Sequence, residues 1–179
     1  KQGNLINIGN KLNLVSPWKE LIFEIKDYSL GLLKDNLLSL YLVGSVARGE
    51  QINLLSDLDL IIVTKEEVTK NIQDQLDQQR IKFEQKNSFV NHIDINLLSE
   101  KELLKDIDAF VKRFTIKTQS ILLAGDDISQ KIPNYKADLQ LAKQLLYGFE
   151  MVIQKRITRI NNKDKEKANL NNCRFAMKE

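Results

Sequence analysis

The chain has 179 residues, 42% of them hydrophobic and 28% charged, enough for one compact core with a smaller appended unit. Its 27 basic and 24 acidic side chains leave a net charge of only +3, which argues against nucleic acid as a partner, and no stretch has the apolar length of a membrane span. The single cysteine, Cys173, excludes an internal disulfide and fits a reducing cytoplasm.

No signal-peptide pattern opens the chain, and because Lys1 is not an initiator methionine the expectation is a missing or processed N-terminus. Ser16-Pro17 predicts a helix start with proline at the first helical position, followed by Leu21, Ile22, Ile25, Tyr28 and Leu32 at helical spacing. The apolar run Leu38 to Val43 reads as a short buried strand, broken by a turn at Gly44-Ser45, and Leu58 to Val63 reads as a second strand. Thr64 with Glu67 predicts a capping box opening a polar helix toward Phe83, packed through Val68, Ile72 and Leu76. The run Phe89 to Leu98 is a third strand. Ser99 with Glu102 predicts another capping box, and the helix it opens carries Leu103, Leu104, Ile107, Phe110 and Val111 and continues through Phe114. ILLAG, ending at Gly125, is a short edge strand.

Beyond Pro133, residues Leu139, Ala142, Leu146, Phe149, Ile153, Ile157 and Ile160 form one apolar stripe along a long helix. NNKDKEKAN is a polar turn, and Leu170, Cys173, Ala176 and Met177 begin a further helical pattern that stops at Glu179, so the chain is expected to extend past it. The fold class is therefore α+β, a mixed β-sheet core backed by helices, with the catalytic domain over 1–132 and a helical C-terminal unit over 133–179. Basic residues crowd that C-terminal end, from Lys155 and Arg156 to Arg174 and Lys178. With Asp164, Glu166 and Glu179 among them they read first as a solvated helical face, and second as a patch for an anionic partner.

The chemistry sits on the second and third strands. Side chains alternate along a strand, so Asp57 and Asp59 share one face, with Cα atoms about 6.6 Å apart, while Leu58, Leu60 and Ile62 take the other. The same alternation in VNHIDINLL puts His92, Asp94 and Asn96 opposite Ile93, Ile95 and Leu97. An Asp-x-Asp alone is equally a turn cap, yet here it opens an otherwise apolar strand, where unpaired charge is costly. Crowded carboxylates call for a hard cation with oxygen ligands, magnesium being the natural one. With Asp94 as a third ligand, two metals about 4 Å apart clamp the attacking and leaving oxygens of an in-line displacement at phosphorus.

Gly44-Ser45, eleven intervening residues and Asp57-Leu58-Asp59, in the form GSVARGE followed by SDLDLIIV, resemble the DNA polymerase beta-like nucleotidyltransferases. The bacterial minimal nucleotidyltransferases and the aminoglycoside nucleotidyltransferases are the most similar branches, over about Leu38 to Leu98. The resemblance implies that Asp57 and Asp59 bind both metals and that Asp94 binds the one beside the attacking hydroxyl and helps deprotonate it. It also implies that Gly44 and Ser45 meet the β and γ phosphates of a nucleoside triphosphate, most simply ATP, with Arg48 in reach of the same phosphates. Ser56 is either a turn residue or a phosphate contact, and Glu50 has no derivable role.

Lys112, Arg113 and Lys117 are further candidates for the triphosphate, Lys117 foremost. His92 is either a substrate contact or a rim residue. Asp126 and Asp127 suit a cationic acceptor such as an aminoglycoside, although helix capping explains Asp127 as well. No Walker P-loop and no kinase motif set occurs. The leading expectation is a magnesium-dependent transfer of AMP from ATP to an acceptor hydroxyl on a small molecule or protein, releasing pyrophosphate. One alternative is an antitoxin that adenylylates a partner toxin. Another is an inactive nucleotide-binding or scaffold domain, and the helical unit leaves a homodimer open.

Overall fold

The computed structural model describes residues 3–161, so the polar turn beyond Asn161 and the helical pattern around Leu170 and Cys173 lie outside the described residues. The chain groups into two compact units, Lys1–Lys136 and Ala137–Glu179.

The first unit runs α1 (Trp18–Leu33), β1 (Leu37–Val43), α2 (Gly44–Arg48), β2 (Leu58–Thr64), α3 (Lys70–Lys86), β3 (Ile93–Ser99), α4 (Glu100–Lys105), α5 (Phe110–Thr118) and β4 (Ile121–Gly125). Its sheet has the order β3-β2-β1-β4, with β1 antiparallel to β2 and β4, and β2 parallel to β3. The expected mixed α+β fold is therefore present. Strands β1 and β2 are largely buried on both faces, which is why they read as hydrophobic runs interrupted only by Ser39, Asp59 and the terminal Thr64.

On one face, Leu40, Leu42, Leu58, Leu60, Ile62 and Ile93 pack with Trp18, Leu21, Ile22 and Ile25 of α1 and Leu76 and Phe83 of α3. On the other, Tyr41, Ile61 and Val63 are buried, with α4 against β2 and β3 and α5 against β1. Leu103 and Ile116 supply the fully buried side chains of those two helices. Each fully buried Leu or Ile contributes about 1.5–3 kcal/mol from burial.

An N-terminal strap, which sequence periodicity does not reveal, crosses the start of β4. Ile8 N donates to Thr118 O (2.8 Å), Asn7 exchanges side-chain bonds with the backbone of Ser120 (2.9 and 3.0 Å), and Asn10 N donates to Ala47 O (3.1 Å). Gly9 lies so close to Ser120 that a Cβ there would collide with its backbone.

Three local expectations are corrected. Helix α1 begins at Trp18 with Pro17 as its cap residue, one position later than expected. Thr64 does not cap α3; it ends β2, buried, and Thr69 caps the helix by accepting from Ile72 N. The helix expected to run from Leu103 through Phe114 breaks at Asp106, whose backbone is extended. Arg113 spans the break, donating to the carbonyls of Leu103 and Asp106.

In the second unit, α6 (Leu139–Asn161) forms where the apolar stripe predicts it, opened by Asp138, whose Oδ1 accepts from Leu141 N at 2.9 Å. Leu139, Leu146, Ile153 and Ile157 of that stripe are exposed.

The Ser99–Glu102 capping box closes as its sequence predicts, with Glu102 accepting from both the backbone N–H (2.6 Å) and the hydroxyl (2.7 Å) of Ser99. These bonds hold the Glu102 carboxyl below its ordinary value of 4.5. Stability from a lowered carboxylate is present above that ordinary value and is lost as pH falls through the folded one. Ser99→Ala is expected to cost about 1 kcal/mol at neutral pH. Glu102→Gln should flatten the loss of stability on acidification, as read from urea midpoints at neutral and acidic pH.

Candidate active site

One end of the sheet gathers Gly44, Asp59 and Asp94. Because β1 is antiparallel to β2 and β4, its C-terminal end meets their N-terminal ends, and parallel β3 adds its own. Val43, Asp59 and Asp94 lie in register across β1, β2 and β3, and Leu42 pairs with Ile121 at the start of β4.

The chain leaves β1 through Gly44, at φ +75°, a conformation that side chains disfavour. A Cβ on Gly44 would collide with Asp59 Oδ2, so glycine is what lets this carboxylate lie against the backbone. Ser45 follows in α2, a five-residue helix closed by Gly49 at φ +78°.

Asp59 is half-buried between Leu58 and Leu60, both fully buried, and Asp94 beside it is exposed. Paired residues on adjacent strands are about 5 Å apart, close enough for two carboxylates to share a cation. Asp57, one residue before β2, is half-buried, and its Oδ1 accepts from Asn91 Nδ2 at 2.7 Å. Among the described residues no three His, Cys, Asp or Glu side chains are closed around a common metal position. Like charges repel when no cation lies between them. By chemistry alone, carboxylate oxygens such as those of Asp57, Asp59 and Asp94 are the ligand type that a hard cation takes, and Asp59 lies against the Gly44 Cα.

The remaining sequence candidates are spread around this end. Arg48 donates through Nε to Glu50 (2.7 Å) and through NH1 to Gln119 (2.8 Å), which gives Glu50 the role that the sequence left open. Ser56 Oγ accepts from Ile52 N (2.8 Å), its turn reading. Lys117 Nζ donates to Ser129 O (3.0 Å). His92 turns toward α3, with Nδ1 2.7 Å from Glu84 Oε1.

Asp127 accepts from Tyr41 OH (2.9 Å) and Ser129 N (3.1 Å), capping the turn Ile128–Lys131. Burial pushes its carboxyl up, but bonds from Ser129, Gln130 and Tyr41 bring it below its usual value. Burial, then the Asp127 carboxylate, raises the Tyr41 phenol far above its ordinary range, so Tyr41 acts only as a neutral hydroxyl. Asn91, Glu84 and Gln119 were missed in the sequence. An amide or an acid on a polar helix has no signature until its long-range partner is known.

A family model described as nucleotidyltransferase domain matches residues 25–121, which include Gly44, Ser45, Asp57, Asp59 and Asp94. No curated protein matches the chain. Among solved structures, the fold resembles the spectinomycin adenyltransferase AAD(9) from Enterococcus faecialis with ATP and spectinomycin, at 16% identity and TM-score 0.56, over 83% of this chain and 69% of that one. A toxin-antitoxin structure with AMP-PNP matches at 20% identity and TM-score 0.38, over 76% and 96% of the two chains. The structure of a tri-AMPylated Shewanella oneidensis HEPN toxin in complex with MNT antitoxin matches at 17% identity and TM-score 0.36, over 78% and 96%.

Two glycines test the strand-end geometry against each other. Gly44→Ala is expected to destabilise the fold by more than about 1 kcal/mol, through its positive φ and the displaced Asp59 carboxylate. Gly31→Ala, inside α1 where a Cβ meets nothing, should stabilise by about 0.5–1 kcal/mol. Denaturant unfolding of the two variants measures both, and equal effects would contradict the geometry.

Proposed function

This chain belongs to the nucleotidyltransferase domain family and is a nucleotidyltransferase, and on that premise we propose that it transfers AMP from ATP to the hydroxyl of a small-molecule acceptor. The observation that carries the proposal is the register of Asp59 and Asp94 on adjacent strands, directly beside the glycine turn after β1. Adenine as the base and a small polyhydroxylated acceptor are supported by the fold shared with the spectinomycin adenyltransferase. The catalytic work falls to the first unit, Lys1–Lys136.

In this reading Asp57, Asp59 and Asp94 hold two magnesium ions, which supply charge neutralisation at the α-phosphate and the leaving pyrophosphate. Gly44 and Ser45 present backbone N–H groups and a hydroxyl to the β and γ phosphates. Arg48, half-buried and steadied by Glu50 and Gln119, turns a guanidinium toward the same anions. Ser56 and Lys117 stand at the rim of the phosphate site, each tied to backbone. The acceptor oxygen attacks the α-phosphorus, its proton passes to the Asp94 carboxylate, and the bond from the α-phosphorus to the bridging oxygen breaks with release of pyrophosphate. Holding the two reactants in line supplies much of the rate, and the fixed charges supply most of the rest.

Asp57→Asn and Asp59→Asn are each expected to lower turnover by roughly 10²–10³-fold or more while leaving the fold intact, since removing crowded charge relieves repulsion. Calorimetry with ATP, GTP, CTP and UTP, with and without magnesium, is expected to show metal-dependent binding of ATP that both variants lose. Pyrophosphate release then follows the acceptor search. A variant with full turnover refutes the two-metal assignment, and preferred binding of another triphosphate refutes ATP as donor.

A further inference from the structure

The loops leading into β2 and β3 are laced together just before the carboxylates. Leu54 N donates to Phe89 O (2.6 Å), Asn91 N to Ser56 O (3.1 Å) and Leu58 N to His92 O (2.8 Å). Side chains reinforce the same seam. Trp18 stands edge-on to Phe89, with ring centroids 5.2 Å apart, and its indole N–H donates to Asn53 Oδ1 at 2.9 Å. On the β3 side, Glu84 Oε1 of α3 accepts from Arg80 Nη1 (2.9 Å) and Ile93 N (2.8 Å), with His92 Nδ1 2.7 Å away. Asn91 is thus held at a fixed height beside β2, and it spends its amide N–H on Asp57 Oδ1.

We propose that Asn91 is a positioning residue for the metal site, one that sets the orientation of the Asp57 carboxylate before any cation arrives. A neutral amide suits this role. It donates one hydrogen bond, leaves the carboxylate its full negative charge, and fixes the plane in which the two oxygens lie. A lysine or arginine at the same place would compete with the cation, and an aspartate would repel Asp57. Partners of this kind behind a ligating carboxylate typically govern metal affinity by about 10–100-fold. Glu84 supports the arrangement at one remove by fixing the backbone of Ile93 and the ring of His92.

The inference rests on Asp57 binding metal. Mn²⁺ is titrated into the wild-type chain and into Asn91→Ala, Asn91→Asp and Asp57→Asn, following loss of the free-ion EPR signal. ATP turnover at saturating metal and thermal unfolding are recorded alongside. The expected result is Mn²⁺ affinity weakened about tenfold or more in both Asn91 variants. The melting temperature should stay near wild type. Asn91→Asp is nearly isosteric, so it carries the comparison if Asn91→Ala folds poorly. Wild-type affinity in a folded Asn91 variant, with affinity lost in Asp57→Asn, overturns the positioning role alone. Wild-type affinity in Asp57→Asn as well overturns the metal assignment on which it stands.

Discussion

A single charged side chain inside the central strand constrains everything around it. Asp59 sits in β2 with Leu58 and Leu60 fully buried on either side, so its carboxylate needs compensation that the apolar layers cannot give. The fold provides it by geometry. Placing Asp59 near the N-terminal end of β2 lets the group emerge at the sheet's edge, and making β1 antiparallel brings the glycine turn after β1 to that same point. Gly44 then gives up its Cβ position to the carboxylate, a local concession in backbone entropy for the positive φ that the turn requires. A parallel β3 completes the pattern by setting Asp94 in register, which an antiparallel neighbour would have delivered from its opposite end.

Rigidity at this end comes from elements that lie on different layers. The strap at Asn7–Asn10 joins β4 to α2, the Trp18–Phe89 pair joins α1 to the loop before β3, and Glu84 joins α3 to β3 itself. The strap and Glu84 satisfy backbone groups at strand and helix ends, where donors must find partners, and the ring pair adds apolar contact. The result is a polar rim held by hydrogen bonds above two apolar layers held by burial. Catalysis by fixed charge needs that combination, because dipoles that must reorganise during reaction do less.

The sheet was legible because burial on both faces writes β1 and β2 as mostly apolar runs and Gly125 marks the end of β4, while β3 starts at Ile93, four residues later than the expected Phe89. The Ser99–Glu102 box was legible for the same local reason: both halves of the interaction lie within four residues. What was misread involves competition between local signals and distant partners. Thr64 carries a capping pattern, but strand pairing with Leu37 takes it into the sheet and leaves Thr69 to open α3. The apolar spacing from Leu103 to Phe114 suits one helix, yet the chain turns at Asp106, and Arg113 satisfies the carbonyls that the break frees. Of the candidate site, the glycine turn and the placing of Asp59 and Asp94 on adjacent strands are legible in the strand pattern. Asn91 and Gln119 are not, since an amide acquires meaning only from the residue it meets 34 or 71 positions away.

Helix α5 shows how the second layer serves the first. Its C-terminal turn sends Lys117 to the carbonyl of Ser129, and the residue that ends it, Gln119, takes the Arg48 guanidinium. Ile116 and Thr118 on the same turn are buried, anchoring that end of the helix in the core. Arg48 lies on a helix of only five residues, which on its own has too few internal hydrogen bonds to hold a long side chain in place. Gln119 and Glu50 supply that constraint from outside the helix, one neutral and one charged.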